Sequence, residues 1–406
     1  MVAPIPLLLL WTASVTVVDG YTYLSDQTLS RLAQVEEGLD AFNGSILAPI
    51  LQPRVPGTRG SAAVRAHFNS WFATQLPSWT VTMQTSTATL AAPILDPTRA
   101  VYVPIINIVA TRDPPAIDAE TTQSQQPQPQ PQPLSRHRHR RRRLVLAAHY
   151  DSKYGQPPDG HTHHQNLTDG FLGAVDSAVP CALMLHAARA VDAALTRRWE
   201  GLREAGLSLA AEPGLQILLL DGEEAFGLWT GGEGGDSLHG SRALARDWEQ
   251  RRGVVDGGGG DGDGDGDLDR MDLLVLLDLL GAPRPSVPSF FRDTHWAYQK
   301  AADVEARARR AGLLESGPGP SFFPDAGRHV DDGAVWEGGE LEDDHLPFLE
   351  RGVRVLHWIS APYPDVWHTM EDDAAHLDPA VVRDWARILT GFTADWMGLE
   401  GYVEES

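Results

Sequence analysis

The chain has 406 residues and a formal net charge of -22, long enough for a sizeable core and too acidic to suit nucleic acid or an anionic membrane surface as a partner. Its one cysteine, Cys181, excludes an internal disulfide, so a packed core or a bound metal must supply stability.

Residues 1–20 contain the apolar run Ile5 to Val18. It is short for a bilayer span and suits the h-region of a secretion signal, with cleavage expected between Asp19 and Tyr21. No Lys or Arg precedes it, which leaves a retained N-terminal anchor as the alternative. The sequons at Asn43 and Asn166 agree with a secretory route. Residues 21–406 are expected to form one domain, with two inserts that cannot bury a core.

Helices are expected at Asp26 to Leu51 and Ser61 to Gln75, then strands at Trp79 to Thr89 and Val101 to Ala110. The first insert, residues 113–143, joins a Gln-Pro repeat to a run of Arg and His, and reads as a disordered surface loop rather than a nuclear signal or nucleic-acid patch. A strand at Leu144 to Ala148, a helix at Val179 to Ala194, a strand at Leu215 to Leu220 and a helix at Leu238 to Arg251 follow. The second insert, residues 253–269, is nearly all Gly and Asp. It resembles a calcium loop but lacks the closing Glu, and reads as a flexible linker. The remaining elements are a strand at Met271 to Leu277, a helix at Trp296 to Ala311, a strand at Val353 to Trp358 and a helix at Pro379 to Met397. Unbroken apolar strands such as Leu144 to Ala148 belong to a sheet covered on both faces. The fold class is therefore α/β, a three-layer α/β/α sandwich around a mixed, centrally parallel sheet.

Each central strand runs into potential ligands: His149 and Asp151 after the first, Glu223 and Glu224 after the next, then Asp278, with Asp176 before a helix and His368 near the end. Functional groups of open α/β sheets collect beyond the carboxyl ends of the strands. Taken singly, His149 reads as well as a core histidine, Asp176 as a helix cap, Asp278 as a turn cap and Glu223-Glu224 as a surface pair. Their succession at strand ends points instead to a metal site of the zinc type, with one His, carboxylates and an open position. One of the paired glutamates can bind the metal while its neighbour moves protons.

The runs Ala148 to Lys153, Gly173 to Pro180, Leu220 to Phe226, Leu276 to Ala282, Asp343 to Phe348 and Val366 to Thr369 closely resemble glutaminyl cyclases, within the zinc aminopeptidase-like fold. The resemblance covers most of the chain from about Tyr21, apart from the two inserts. It implies closure of an N-terminal glutamine to pyroglutamate with loss of ammonia. It also implies one Zn2+ ion held by Asp176, Glu224 and His368, and Glu223 as proton shuttle. Asp278 would orient the reacting amide, supported by Asp343 and His357, and Trp229 and Trp367 would wall the glutamine pocket. His149 is not expected to bind zinc. Implied partners are peptides or proteins with N-terminal Gln, without nucleic acid or a stable membrane partner, and the protein is expected to be a monomer.

Animal cyclases typically bridge the residue before the first-motif His to the Cys of the following helix. Here these positions are Ala148 and Cys181, so the bridge is absent and Cys181 reads as a buried small hydrophobe. Two rivals remain. His149, Asp176, Glu224, Asp278 and His368 could form the two-metal shell of an aminopeptidase of the same fold, and a non-catalytic binding domain is the third reading.

Overall fold

The computed structural model describes residues 23–35, 37–91, 100–115, 142–154, 170–227, 229–230, 235–255, 266–331, 336 and 341–404. The expected secretion signal, the Asn166 sequon and the greater part of both inserts lie outside the described residues.

Six strands form one sheet: β1 (Thr80–Ala91), β2 (Ala100–Arg112), β3 (Arg143–His149), β4 (Gly214–Leu220), β5 (Met271–Asp278) and β6 (Val355–Ile359), in the order β1-β2-β4-β3-β5-β6. β1, β2 and β4 pair antiparallel, whereas β4, β3, β5 and β6 run parallel, so the sheet is mixed with a parallel centre. The described helices are α1 (Asp26–Leu32), α2 (Arg59–Gln75), α3 (Val179–Glu204), α4 (His239–Val255), α5 (Asp267–Arg270), α6 (His295–Arg310), α7 (Leu346–Leu349) and α8 (Pro379–Trp396).

Alternation along the central strands divides their apolar side chains between two cores. Leu144, Leu146, Ile217, Leu219, Val275 and Leu277 join residues of α2, α3 and α8 on one face. Val145, Ala147, Leu218, Leu220, Leu274 and Leu276 meet Leu244 and Trp248 of α4 and Phe348 of α7 on the other. All are buried. At about 1.5–3 kcal/mol per buried aliphatic side chain, this two-sided burial is what makes the strands unbroken apolar runs. α3 is apolar enough in composition to cross a membrane, yet most of it is buried inside the protein as the core helix between the sheet and α8. α8 starts at a cap in which the Asp378 carboxylate accepts from the main-chain N–H of Ala380 at 2.9 Å and Val381 at 3.2 Å.

Three expectations change. The helix expected over Asp26 to Leu51 stops at Leu32, and a 3-10 turn at Glu37–Leu39 and tight turns follow. The main-chain N–H groups of Ile46 and Leu47 reach back to Gly38 O, so Ile46, Leu47 and Ile50 are buried from a loop rather than a helix face. The helix expected to end at Ala194 continues to Glu204. The ends of both inserts are structured. Arg143 opens β3, is buried, and pairs with Asp113 at 2.6 Å and Asp267 at 3.2 Å, while residues 253–255 extend α4 and Asp267–Arg270 form α5.

The topology places the site. From β3 the chain crosses through α3 to β4 on one side, then returns over β3 to β5 on its other side, with α3 and α4 on opposite faces. Such a reversal opens a crevice outside the carboxyl ends of the strands. His149 and Leu220 are register partners there, as are Asp278 and Ile359.

Candidate active site

Asp176 lies in an irregular turn, Ala174–Ala178, ahead of α3, and its own φ and ψ of -119° and 80° are not helical. The turn has no side-chain cap, so Asp176 is not the helix cap that its position allows. Glu224 follows β4, buried at 3% exposure beside Glu223 at 8%, so the pair is not a solvated surface pair. His368 sits after β6 with φ 55°, a left-handed conformation that costs a residue other than glycine about 1–2 kcal/mol.

These three residues converge. His368 Nε2 lies 3.4 Å from Asp176 Oδ2 and 3.4 Å from Glu224 Oε1, and a donor atom from each falls within 4.8 Å of the others. The spacing is wide for a hydrogen bond and close to that of metal ligands. Good N–H···O contacts to a carboxylate run about 2.7–2.9 Å, whereas ligand atoms about 2.0–2.1 Å from a tetrahedral zinc stand about 3.3 Å apart. Glu224 Oε1 is buried without a hydrogen-bond partner, and a cation between these residues would supply what it lacks. The donor set of one imidazole and two carboxylates fits zinc.

A surrounding layer fixes these side chains. The buried Asp151 carboxylate accepts the main-chain N–H groups of both Glu223 and Glu224, each at 3.2 Å. Lys153 Nζ holds Glu224 Oε2 at 2.9 Å, leaving Oε1 to face His368. The Asp372 carboxylate accepts from Val175 N at 2.7 Å, beside Asp176. The Arg54 guanidinium reaches the main chain of the same turn. None of Lys153, Asp372 and Arg54 was singled out from the sequence. Lys153 and its charge stood inside a motif that could have flagged it, whereas Arg54 and Asp372 lie in loops without a chemical pattern.

His149 is engaged differently. Its Nε2 is 2.9 Å from Asp176 Oδ1 and 3.6 Å from Asp278 Oδ1, and Asp151 Oδ1 is 3.5 Å from its Nδ1. Burial opposes charge on the ring, but the close carboxylates of Asp151, Asp176 and Asp278, of which Asp176 is hydrogen-bonded, prevail and raise its pKa well above the ordinary value.

Glu223 projects from the same turn as Glu224. Burial raises its pKa well above the usual carboxylate range, with Glu224, Asp343 and Asp344 adding to the effect against the charge of His149. Asp278, at the end of β5, accepts a short hydrogen bond from Ser177 Oγ, and burial above all brings it to about 6. Asp343 Oδ2 and His357 Nε2 are 2.7 Å apart and buried. His357 lies within β6 opposite Leu276, two residues before Asp278 along β5, and desolvation lowers it to about 4. Trp367 is 36% exposed and stacks on His368. Trp229 is 37% exposed and donates from Nε1 to Glu342 Oε2 at 2.6 Å, next to Asp343.

Residues 133–393 match the model of Peptidase family M28, so the chain belongs to that family, and the cofactor is zinc. The chain is 35% identical over 377 residues to a glutaminyl-peptide cyclotransferase of Bos taurus, covering 91% of this chain and 86% of the relative. It is 36% identical over 372 residues to a glutaminyl-peptide cyclotransferase-like protein of Bos taurus, covering 91% and 79%. A crystal structure of Macrostomum lignano glutaminyl cyclase superposes with a TM-score of 0.65 at 27% identity, covering 97% of each chain. The protein is thus an enzyme of the glutaminyl-peptide cyclotransferase family.

Proposed function

We propose that this enzyme closes the N-terminal glutamine of peptides and proteins to pyroglutamate, releasing ammonia, at one zinc ion held by Asp176, Glu224 and His368. The observation that supports this site most directly is the 3.4 Å spacing of His368 Nε2 from both carboxylates. Zinc bound there supplies Lewis-acid polarisation of the glutamine side-chain carbonyl.

In the reaction the α-amine nitrogen bonds to the side-chain amide carbon, the bond from that carbon to the amide nitrogen breaks, and ammonia leaves. One proton must pass from the attacking amine to the departing nitrogen. Glu223 is suited to carry it, because it projects from the turn beside the ligand Glu224 and burial raises its carboxyl above the usual carboxylate range, which favours holding a proton. Asp278, held by Ser177 and backed by the Asp343–His357 pair, is assigned to orient the reacting amide. Trp367 and Trp229 are assigned to wall the pocket. Nucleophile and electrophile belong to one residue, so a folded-back substrate conformation gains the advantage of an intramolecular reaction.

We assign one metal: His149 Nε2 stands 2.9 Å from Asp176 Oδ1, a hydrogen-bonding distance, while His149, Asp176 and Asp278, whose donor atoms also lie within 4.8 Å of one another, are the set that a second metal would use. The apolar segment before residue 20 and the exposed Asn43 sequon support a secretory route, and we assign the working form as a single domain and a monomer.

Ammonia release from a Gln-initiated peptide, abolished by chelator and restored by zinc, with a Leu-amide substrate left uncut, is the expected result. Cleavage of the Leu substrate would establish an aminopeptidase, and absence of both activities in zinc-loaded protein would establish a binding domain.

A further inference from the structure

Beneath the proposed metal site lies a buried guanidinium. Arg54, in the loop before α2, is wholly buried, and its charged end meets main-chain carbonyls rather than a carboxylate. Nε donates to Tyr150 O at 2.6 Å, Nη2 to Gly173 O at 2.8 Å and Asp176 O at 3.4 Å, and Nη1 makes a short bond to Leu172 O. The main-chain N–H of Arg54 donates to Ser152 Oγ at 3.0 Å. One side chain thus ties the segment after β3, which carries Asp151 and Lys153 and follows directly on His149, to the turn that presents Asp176.

That turn needs such a tie. Residues 174–178 are irregular, and Gly173 enters them at φ 54° with no room for a β-carbon, which would stand 2.2 Å from Asp176 O. The Gly173 carbonyl accepts from Ala178 N–H at 3.2 Å as well as from the guanidinium, and the partly buried Leu172 carbonyl accepts from Nη1, so the side chain adds hydrogen bonds on both carbonyls at the entry to the turn. A planar guanidinium has five N–H donors in a fixed fork and can satisfy several carbonyls at once, which a lysine ammonium cannot do with the same geometry. Its positive charge also lies under a site crowded with carboxylates.

We infer that Arg54 is a positioning residue for the metal site: by gathering the carbonyls of Tyr150, Leu172, Gly173 and Asp176 it fixes where the Asp176 carboxylate stands relative to Glu224 and His368. This rests on the reading of Asp176 as a zinc ligand.

The test compares Arg54→Lys, Ser152→Ala and Asp176→Ala in the full chain, measuring zinc affinity by chelator competition, the visible spectrum of the cobalt-substituted protein, and kcat and KM separately. Arg54→Lys is expected to unfold cooperatively, bind zinc at least tenfold more weakly, show an altered cobalt spectrum and lose kcat far more than it raises KM. Ser152→Ala, which cuts only the main-chain tether, is expected to weaken zinc about threefold, and it decides the matter if Arg54→Lys does not fold. Zinc affinity and a cobalt spectrum unchanged from wild type in a folded Arg54→Lys, or zinc affinity unchanged in Ser152→Ala should the lysine variant not fold, would overturn the inference if Asp176→Ala still loses zinc. Zinc retained in Asp176→Ala would instead overturn the ligand assignment on which it rests.

Discussion

The ring of Trp367 stacks on that of His368, with centroids 3.9 Å apart and planes inclined by 20°. The proposed pocket wall and the proposed metal ligand are thereby one mechanical unit, since moving either ring moves the other. Tyr363 meets Trp367 in an edge arrangement, with ring centroids 4.7 Å apart. An aromatic pair of this kind is worth about 0.5–1.5 kcal/mol beyond its buried area. Trp367→Ala is expected to raise KM about tenfold and to weaken zinc by a smaller factor of about two to five, whereas Trp367→Phe should retain most of both. Steady-state kinetics with a Gln-initiated peptide, alongside chelator competition, measure this. An unchanged KM in Trp367→Ala would remove the residue from the pocket.

Glu223 and Glu224 are adjacent, yet their expected phenotypes differ. Glu223→Gln preserves shape and the main-chain bond to Asp151 while abolishing proton transfer, so kcat should fall about 10²–10⁴-fold with zinc content intact. Glu224→Gln should lose zinc. Metal analysis of the two purified variants settles the assignment, and zinc loss in Glu223→Gln would show the roles to be exchanged.

Zinc should also stabilise the fold, because its proposed ligands come from three separate segments that meet only in the native chain. A ligand at 1,000 times its dissociation constant adds about 4 kcal/mol to unfolding. Thermal unfolding with and without chelator should therefore differ by several degrees, and the difference should shrink sharply in His368→Ala. An identical melting temperature for holo and metal-free protein would contradict a site assembled by folding.

Away from the site, burial raises the Asp395 carboxyl on α8 to about 6, against the hydrogen bond from Leu24 N at 2.6 Å. The folded state then holds this proton more tightly than the unfolded chain does. The stabilising contribution is complete below about pH 4 and is lost as pH rises from there through 6. Two pKa units correspond to about 3 kcal/mol at most. Relative to wild type, Asp395→Asn should gain up to that amount in stability between pH 4 and 7. Denaturant midpoints at the two pH values test it, and parallel shifts in both proteins would refute it.

Sequence pattern and structure agree where one physical cause dominates. Strands such as Leu144 to Ala148 are legible because burial on both faces demands unbroken apolar residues, and the chemistry follows because the carboxyl ends of parallel strands gather at one edge. The stretch after Leu32 is misread because Ile46, Leu47 and Ile50 mimic a helical face, while the hydrogen bonds to Gly38 O fold the chain back on itself. Arg143 hides in a run of like charges although it opens a strand, since its pairing with Asp113 depends on which residues the sheet brings together. Arg54 is the extreme case, a single arginine whose partners are backbone carbonyls and leave no trace in residue type.

Cys181 sits on α3 with its thiol donating to the carbonyl of His149 at 3.2 Å, buried so fully that its pKa is pushed up to about 12. A neutral, enclosed thiol is a poor nucleophile toward oxidants and alkylating reagents, and with one cysteine there is no bridge for a reductant to open. The catalyst is therefore expected to be indifferent to redox conditions: it should mature without an oxidative folding catalyst, accumulate in active form in a thiol-rich bacterial cytosol, and work unchanged in a millimolar phosphine reductant that does not bind zinc.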